Sequence, residues 1–226
     1  MKRYYISIVF SIITFLSFGQ TNPEKEVGSW YMLFGIHQVS DKLSINTGMQ
    51  FRYYELITNY NLNLFYTGIN YEINPNTIVA FNYGYLDIDR SIEFTDIKNT
   101  IEHRFWEQIS YKFKLSNIPI NHRLRLEHRF LHDINDNSVQ NRIRYRLGTT
   151  IKLNTTFYLA LNNEFFLNFE GEPYRENRLY SGIGINVNKN MKLVFGYMNQ
   201  YINKLNLNRL QFGFYIKTDL RKKTPN

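Results

Sequence analysis

The chain has 226 residues, no cysteine, 17% aromatic residues and a formal charge of +8. That length suits one domain, and without cysteine no disulfide framework can hold it. A basic balance suits nucleic acid or an acidic surface, and the first residues of the chain decide against nucleic acid.

Those residues, MKRYYISIVFSIITFLSFGQ, read as a secretory leader. Lys2 and Arg3 form a positive region, Ile6 to Leu16 an apolar region, and Ser17 and Gly19 supply small residues for cleavage near Gly19. The apolar run is shorter than the roughly 20 residues a helix needs to cross a bilayer. Residues 1–19 are therefore expected to be removed, and losing Lys2 and Arg3 leaves +6. An exported protein rarely meets nucleic acid, so no such partner is expected. Next come residues 20–28, expected as a short strand or a plug of the lumen, then a barrel over 29–220 and a basic tail over 221–226.

From Trp30 onward the apolar residues recur with a period of two. Trp30, Met32, Phe34 and Ile36 share one parity, and Leu43, Ile45, Met49, Phe51 and Tyr53 follow. The pattern returns at Phe65–Ile69–Tyr71, Val79–Phe81–Tyr83–Tyr85, Phe105–Ile109–Tyr111–Phe113, Leu124–Leu126–Phe130 and Ile143–Tyr145–Leu147. It continues at Phe157–Leu159–Leu161, Leu179–Ile183–Ile185, Leu193–Phe195–Tyr197 and Leu210–Phe212–Phe214–Ile216. Period two over segments of about 10 residues is a strand signal, and no helical stripe competes with it. Eleven strands are readable.

Their spacing favours a membrane barrel over a soluble one. Strands of about 10 residues match a tilted bilayer crossing, whereas soluble sheets average 5–6. Short connections at Ser40–Lys42, Asn74–Asn76, Ser116–Pro119, Leu153–Thr155 and Asn188–Asn190 alternate with longer ones. The longer ones are Glu55–Asn61, Ile88–Asn99, Leu131–Ser138, Asn168–Arg175 and Ile202–Asn206. Short periplasmic turns and long external loops are the outer-membrane pattern. The fold expected is an all-β, transmembrane, antiparallel up-and-down barrel. Bacterial single-chain barrels usually have an even strand number, so about twelve strands are expected.

In such a barrel the apolar face meets lipid and the polar face lines the lumen. The polar parity carries Arg104, Arg123, Arg125, Glu127, Arg129, Arg142, Arg144, Arg146, Glu164 and Arg178. These ten are the expected lumen-lining residues. Arginine dominates, so the lumen reads either as internal wiring or as a path for small anions.

The tetrapeptide Glu-His-Arg-Phe occurs at Glu102–Phe105 and again at Glu127–Phe130, in strands joined by the Ser116–Pro119 turn. Taking Leu115 opposite Ile120, Phe105 faces Phe130 and Glu107 faces His128. Each Glu and Arg then points inward, and each His and Phe outward. The repetition follows from one layer of the barrel being built twice, with Phe and His at the membrane interface. A lipid-modifying hydrolase is the competing reading, with His128 as base, Glu107 orienting it and Ser110 as nucleophile; yet Ser110 has inward parity. His128 and His132 sit too far apart along a strand for one zinc ion. The run from Asp133 lacks the glycine of a calcium loop, and Gly182-Ile-Gly184 has no third glycine and no helix after it. No cofactor or metal is expected.

The GSWYMLF first strand, the paired EHRF strands, the Tyr145–Gly148 strand and the final RLQFGFYIKTDL together resemble a family of short barrels. That family is domain of unknown function 2490, from Bacteroidetes, and the likeness runs from about Val27 to Leu220. The resemblance implies an outer-membrane barrel and supplies no activity and no site residues. The expected function is an outer-membrane barrel of Gram-negative cells with a transport role for small anionic solutes, or a structural one. Outer-membrane lipid and the barrel-insertion machinery are the expected partners. The alternatives are the His128/Glu107 hydrolase and a soluble periplasmic barrel that binds a ligand.

Overall fold

The computed structural model describes residues 24–89, 99–133, 137–171 and 173–221. The expected leader, residues 20–23, most of the expected tail and parts of the links at 90–98 and 134–136 lie outside the described residues. Eleven strands follow one another: β1 (Val27–Gln38), β2 (Leu43–Tyr53), β3 (Tyr60–Asn74), β4 (Thr77–Asp89), β5 (Asn99–Leu115) and β6 (Ile118–His132). After them come β7 (Asn137–Lys152), β8 (Phe157–Asn168), β9 (Tyr174–Asn186), β10 (Met191–Ile202) and β11 (Leu205–Asp219).

Each strand pairs antiparallel with the next, and β1 closes the ring by pairing parallel with β11. The expectation of about twelve strands is corrected to eleven. Strands that alternate in direction leave the first and last of an odd set running the same way, so a parallel seam is what odd closure requires. It extends over the whole of β1, from Val27 opposite Asn208 to Gln38 opposite Asp219. Both seam strands start at the end of the barrel with the longer links and finish at the end with the short turns. We call these the loop end and the turn end. Glu24 to Glu26 form a turn before β1, and the Glu24 carboxylate accepts from the backbone N–H of Asn206 at 2.8 Å.

Burial sorts the two faces of each strand. Along β3, Leu62 and Leu64 are buried while Phe65 and Ile69 are exposed; along β4, Leu86 and Ile88 are buried while Phe81 and Tyr85 are exposed. The apolar parity read from sequence is the outward one in ten strands. The exception is β1, where Trp30, Met32 and Phe34 point inward. Trp30 packs on Tyr180 and Met198 inside the barrel, with Met32 beside them. Tyr31 and Leu33 take the outward positions, and Tyr31 stacks on Phe212 at 5.1 Å. Both parities of β1 are apolar, so alternation could not settle its face. The seam register does, by placing Trp30 opposite Gln211.

Two connections also differ from expectation. Leu115 pairs with Ile118, so the β5–β6 turn is Ser116–Asn117 and Pro119 lies within β6. Ser116 takes a left-handed φ of 56°. The register therefore slides by two: Phe105 faces His128, and Arg104 faces Arg129. A slide of two preserves every face. At the loop end, the expected long link Ile202–Asn206 is only the two residues Asn203 and Lys204, with φ of 49° and 69°. Two successive left-handed residues make the twisted turn that joins hairpin strands most tightly.

Candidate functional site in the lumen

All ten expected lumen residues lie on the inward parity, and most of them form one ion network. Glu102 and Glu127, both 0% exposed, are its nodes. Glu102 accepts from Arg104 Nε at 2.5 Å and from Arg129 at 2.9 and 2.7 Å. Glu127 accepts from Arg142 Nε at 2.6 Å and Arg144 Nη1 at 2.7 Å, with Arg125 at 3.4 Å and Arg104 at 3.9 Å. Glu164 takes Arg144 at 3.0 Å and Arg123 at 2.5 Å. Carboxylates without exposed surface are tolerable because each oxygen meets charged donors.

The two EHRF runs thus supply Glu102, Arg104, Glu127 and Arg129 to the interior. Their histidines and phenylalanines lie outside. Phe105 meets Phe130 edge-on at 6.1 Å. His128 bonds Asn141 through Nδ1 at 2.7 Å, and its Nε2 lies 3.2 Å from Glu107. Glu107 reaches it diagonally, since its direct partner is Leu126. All five histidines of the chain occupy outward positions and hydrogen-bond to side chains. Ser110 faces inward instead and receives a hydrogen bond from Gln108 at 3.1 Å. The wall of the barrel therefore separates it from His128, and no nucleophile–base pair is assembled there. Among the described residues, no three His, Asp or Glu side chains cluster as a metal site.

Sequence reasoning missed several members of the network. Glu176 on β9 accepts from Arg178 Nε at 2.6 Å and Gln200 at 2.7 Å. It has the parity of Arg178, two residues away, and that spacing was the available signal. Arg209 is also inward, at 2% exposure, and it joins Arg52, which the polar parity of β2 already places inside. Aromatic faces serve as further partners for the arginines. Arg52 lies 3.6 Å and Arg178 4.8 Å from the centre of the Trp30 ring, and Arg144 and Arg178 each lie 4.5 Å from that of Phe166. The negative face of a ring accepts a cation with little desolvation of its own, so it can stand where a carboxylate is lacking.

The network and its neighbours towards the loop end are buried. Tyr54, Leu86, Leu131, Phe166, Leu207 and Thr100 are each at most 1% exposed. Towards the turn end some inward residues become exposed, while others, Ser44, Asn82 and Tyr158 among them, stay buried. Tyr215, on the inward parity of β11, is 38% exposed, and Lys112, Lys152, Lys192 and Lys217 are exposed too. Inward side chains are wetted only through the lumen, so water enters from the turn end as far as Tyr215.

Glycines widen that half. A Cβ on Gly48 would strike the ring of Tyr66, one on Gly184 the ring of Tyr158, and one on Gly196 that of Tyr180. These tyrosines lie flat against the wall, over glycines of neighbouring strands, instead of crossing the lumen. This accounts for the Gly182-Ile-Gly184 run: both glycines face inward under aromatic rings.

The outer surface is a belt of exposed apolar residues. Ile69, Phe81, Leu124, Leu179, Ile183 and Phe195 are each between 47% and 59% exposed. No curated protein matches the chain significantly. The chain does match, over residues 27–211, the family described as protein of unknown function DUF2490. That span runs from the first residue of β1 into β11, taking in both the EHRF strands and the arginine network. The chain therefore belongs to the DUF2490 family.

Proposed function

We propose that this protein is an outer-membrane β-barrel whose lumen is closed at the loop end by its own arginine–glutamate network. On this reading the ladder is internal wiring, and the barrel's role is structural, exercised at its two ends. The observation that carries it is the complete burial of Glu102 and Glu127, each held by at least two arginines. A layer with no wetted carboxylate offers ions no continuous water path. The apolar belt, with strands of 11 to 17 residues, supports placement in a bilayer.

Planar-bilayer recording tests this reading. The purified full chain is expected to be silent at moderate voltage, and steady anion-selective conductance would overturn it. Location has its own test: the protein should fractionate with the outer membrane and migrate differently when boiled and unboiled. Recovery as a soluble monomer without detergent would overturn membrane placement.

A second reading, transport of small anions, draws on the surplus of arginine and lysine over carboxylate in the turn half. It requires the sealing layer to move.

A further inference from the structure

We infer that the solvent-accessible turn half of the lumen is a binding chamber for a small phosphate-bearing anion, held by Arg123 and Arg146 and approached through a ring of lysines. The chamber belongs to the fold itself, so this inference does not rest on conduction or on where the barrel resides.

Arg123 and Arg146 are direct cross-strand partners on β6 and β7, and both face inward. Like charges placed directly opposite repel, and such a pair persists where something negative lies between or beside it. The nearby carboxylate among the described residues is Glu164, which lies directly opposite Arg146 on β8 and is shared with other arginines. Its Oε1 accepts Arg123 Nη2 at 2.5 Å and Arg144 at 3.0 Å. Arg146 has no ion pair or hydrogen bond among the described residues. The Nε of Arg123 is buried and also lacks an acceptor. Buried guanidinium donors seldom go unmatched, so an unmatched one beside an unpaired arginine points to an acceptor from outside the chain.

The surroundings suit a doubly charged oxyanion. Tyr215, on the inward parity of β11, packs on Phe34 of β1 at 5.0 Å and adds an exposed ring to the chamber wall. At the mouth, Lys192, Lys217, Lys112 and Lys152 stand exposed on the inward parity of their strands. These four come from β10, β11, β5 and β7, and thus ring the opening. On the acidic side, Glu72 shares the mouth, while Asp219 is engaged by Arg221 at 2.6 Å. Two guanidinium forks match the several oxygens of a phosphate better than the two of a carboxylate, and lysines add field without fixing geometry. A phosphate monoester or diphosphate meets these demands, whether free in solution or part of a lipid headgroup.

The full chain, folded in uncharged detergent, can be titrated calorimetrically with inorganic pyrophosphate. One saturable site is expected, weakening as salt rises. Arg146→Gln and Lys192→Gln should each lose affinity, Arg146→Gln by roughly tenfold or more, the size of one charge-assisted bond. Lys189→Gln, in the exposed β9–β10 turn, should bind as wild type. The shift in gel mobility on boiling shows whether each variant is folded. Repeating the titration in bicelles separates the two sources of phosphate. If phosphatidylglycerol weakens pyrophosphate binding relative to phosphatidylcholine, the occupant is a headgroup; if it has no effect, the occupant is soluble. Folded wild type without saturable binding, or folded Arg146→Gln with wild-type affinity, would overturn the inference.

Discussion

The two halves of this lumen are built from the same residue types and behave oppositely. In the loop half, arginines meet Glu102, Glu127 and Glu176 or lie on Trp30 and Phe166, and the carboxylates are buried. In the turn half, Arg146 meets another arginine, the tyrosines lie flat over glycines, and water enters. Arginine content alone thus says little about a lumen. What decides between seal and chamber is whether each cation has a partner on a neighbouring strand.

The largest effect should come from removing a node of the seal. Glu127→Gln leaves Arg142 and Arg144 without their closest carboxylate, in a place where both are largely buried. Breaking a buried pair from one side costs about 3–5 kcal/mol. Urea unfolding from detergent or bilayers should register that loss, and a midpoint within experimental error of wild type would show that the loop half is not sealed by charge.

The outer belt is common to both halves, so its sensitivity should not depend on height along the lumen wall in the same way. Leu124→Arg and Ile183→Arg each place a cation on an exposed apolar surface, at a cost of about 2–4 kcal/mol near a bilayer midplane. Gln108→Arg, on the inward parity of the same sheet, should be much milder. Equal tolerance at outward and inward positions would break the assignment of faces.

A third substitution probes how the turn half stays open. Gly184→Val sets a branched side chain where the Tyr158 ring lies. Overpacking of this kind costs about 1–3 kcal/mol, and it should push the ring into the chamber. Lower stability with reduced pyrophosphate binding is expected. A variant as stable as wild type would mean that the ring is free to leave the wall.

Much of this was legible in the sequence, for reasons that also mark the limits. Period-two alternation gave all eleven strands, because exposed apolar and inward polar residues differ sharply at positions such as Tyr145 and Arg144. It failed on β1, where Trp30–Phe34 is apolar on both parities and only pairing with β11 fixes the face. The strand number was read correctly and then raised to twelve on the rule of even counts; nothing local to a strand reveals a parallel seam. The β5–β6 register slipped by two because Pro119 looked like a turn residue, whereas it sits at the start of β6 opposite Lys114. The lumen arginines were visible as a list. Which of them are paired was not, since that depends on contacts such as Arg123 to Glu164, 41 positions apart in the chain.

The smallest effect should have the opposite sign to the first. Arg146 sits directly across from Arg123 and makes no hydrogen bond or ion pair among the described residues. Glu164, its direct partner on β8, bonds Arg123 and Arg144 through Oε1. Arg146→Gln therefore removes the repulsion from Arg123, which outweighs the attraction to Glu164 that goes with it, and breaks no salt bridge. The shorter amide keeps the polar character of the wall, and water in this half can solvate it. Relief of a like-charge pair is worth about 0.2–1 kcal/mol, so unfolding should move to slightly higher urea or stay where it is. The gain should shrink as salt screens the pair, since the Debye length falls from about 10 Å at 0.1 M to about 3 Å at 1 M. A loss comparable with that of Glu127→Gln would mean that Arg146 is wired into the seal, and the two halves would then be one.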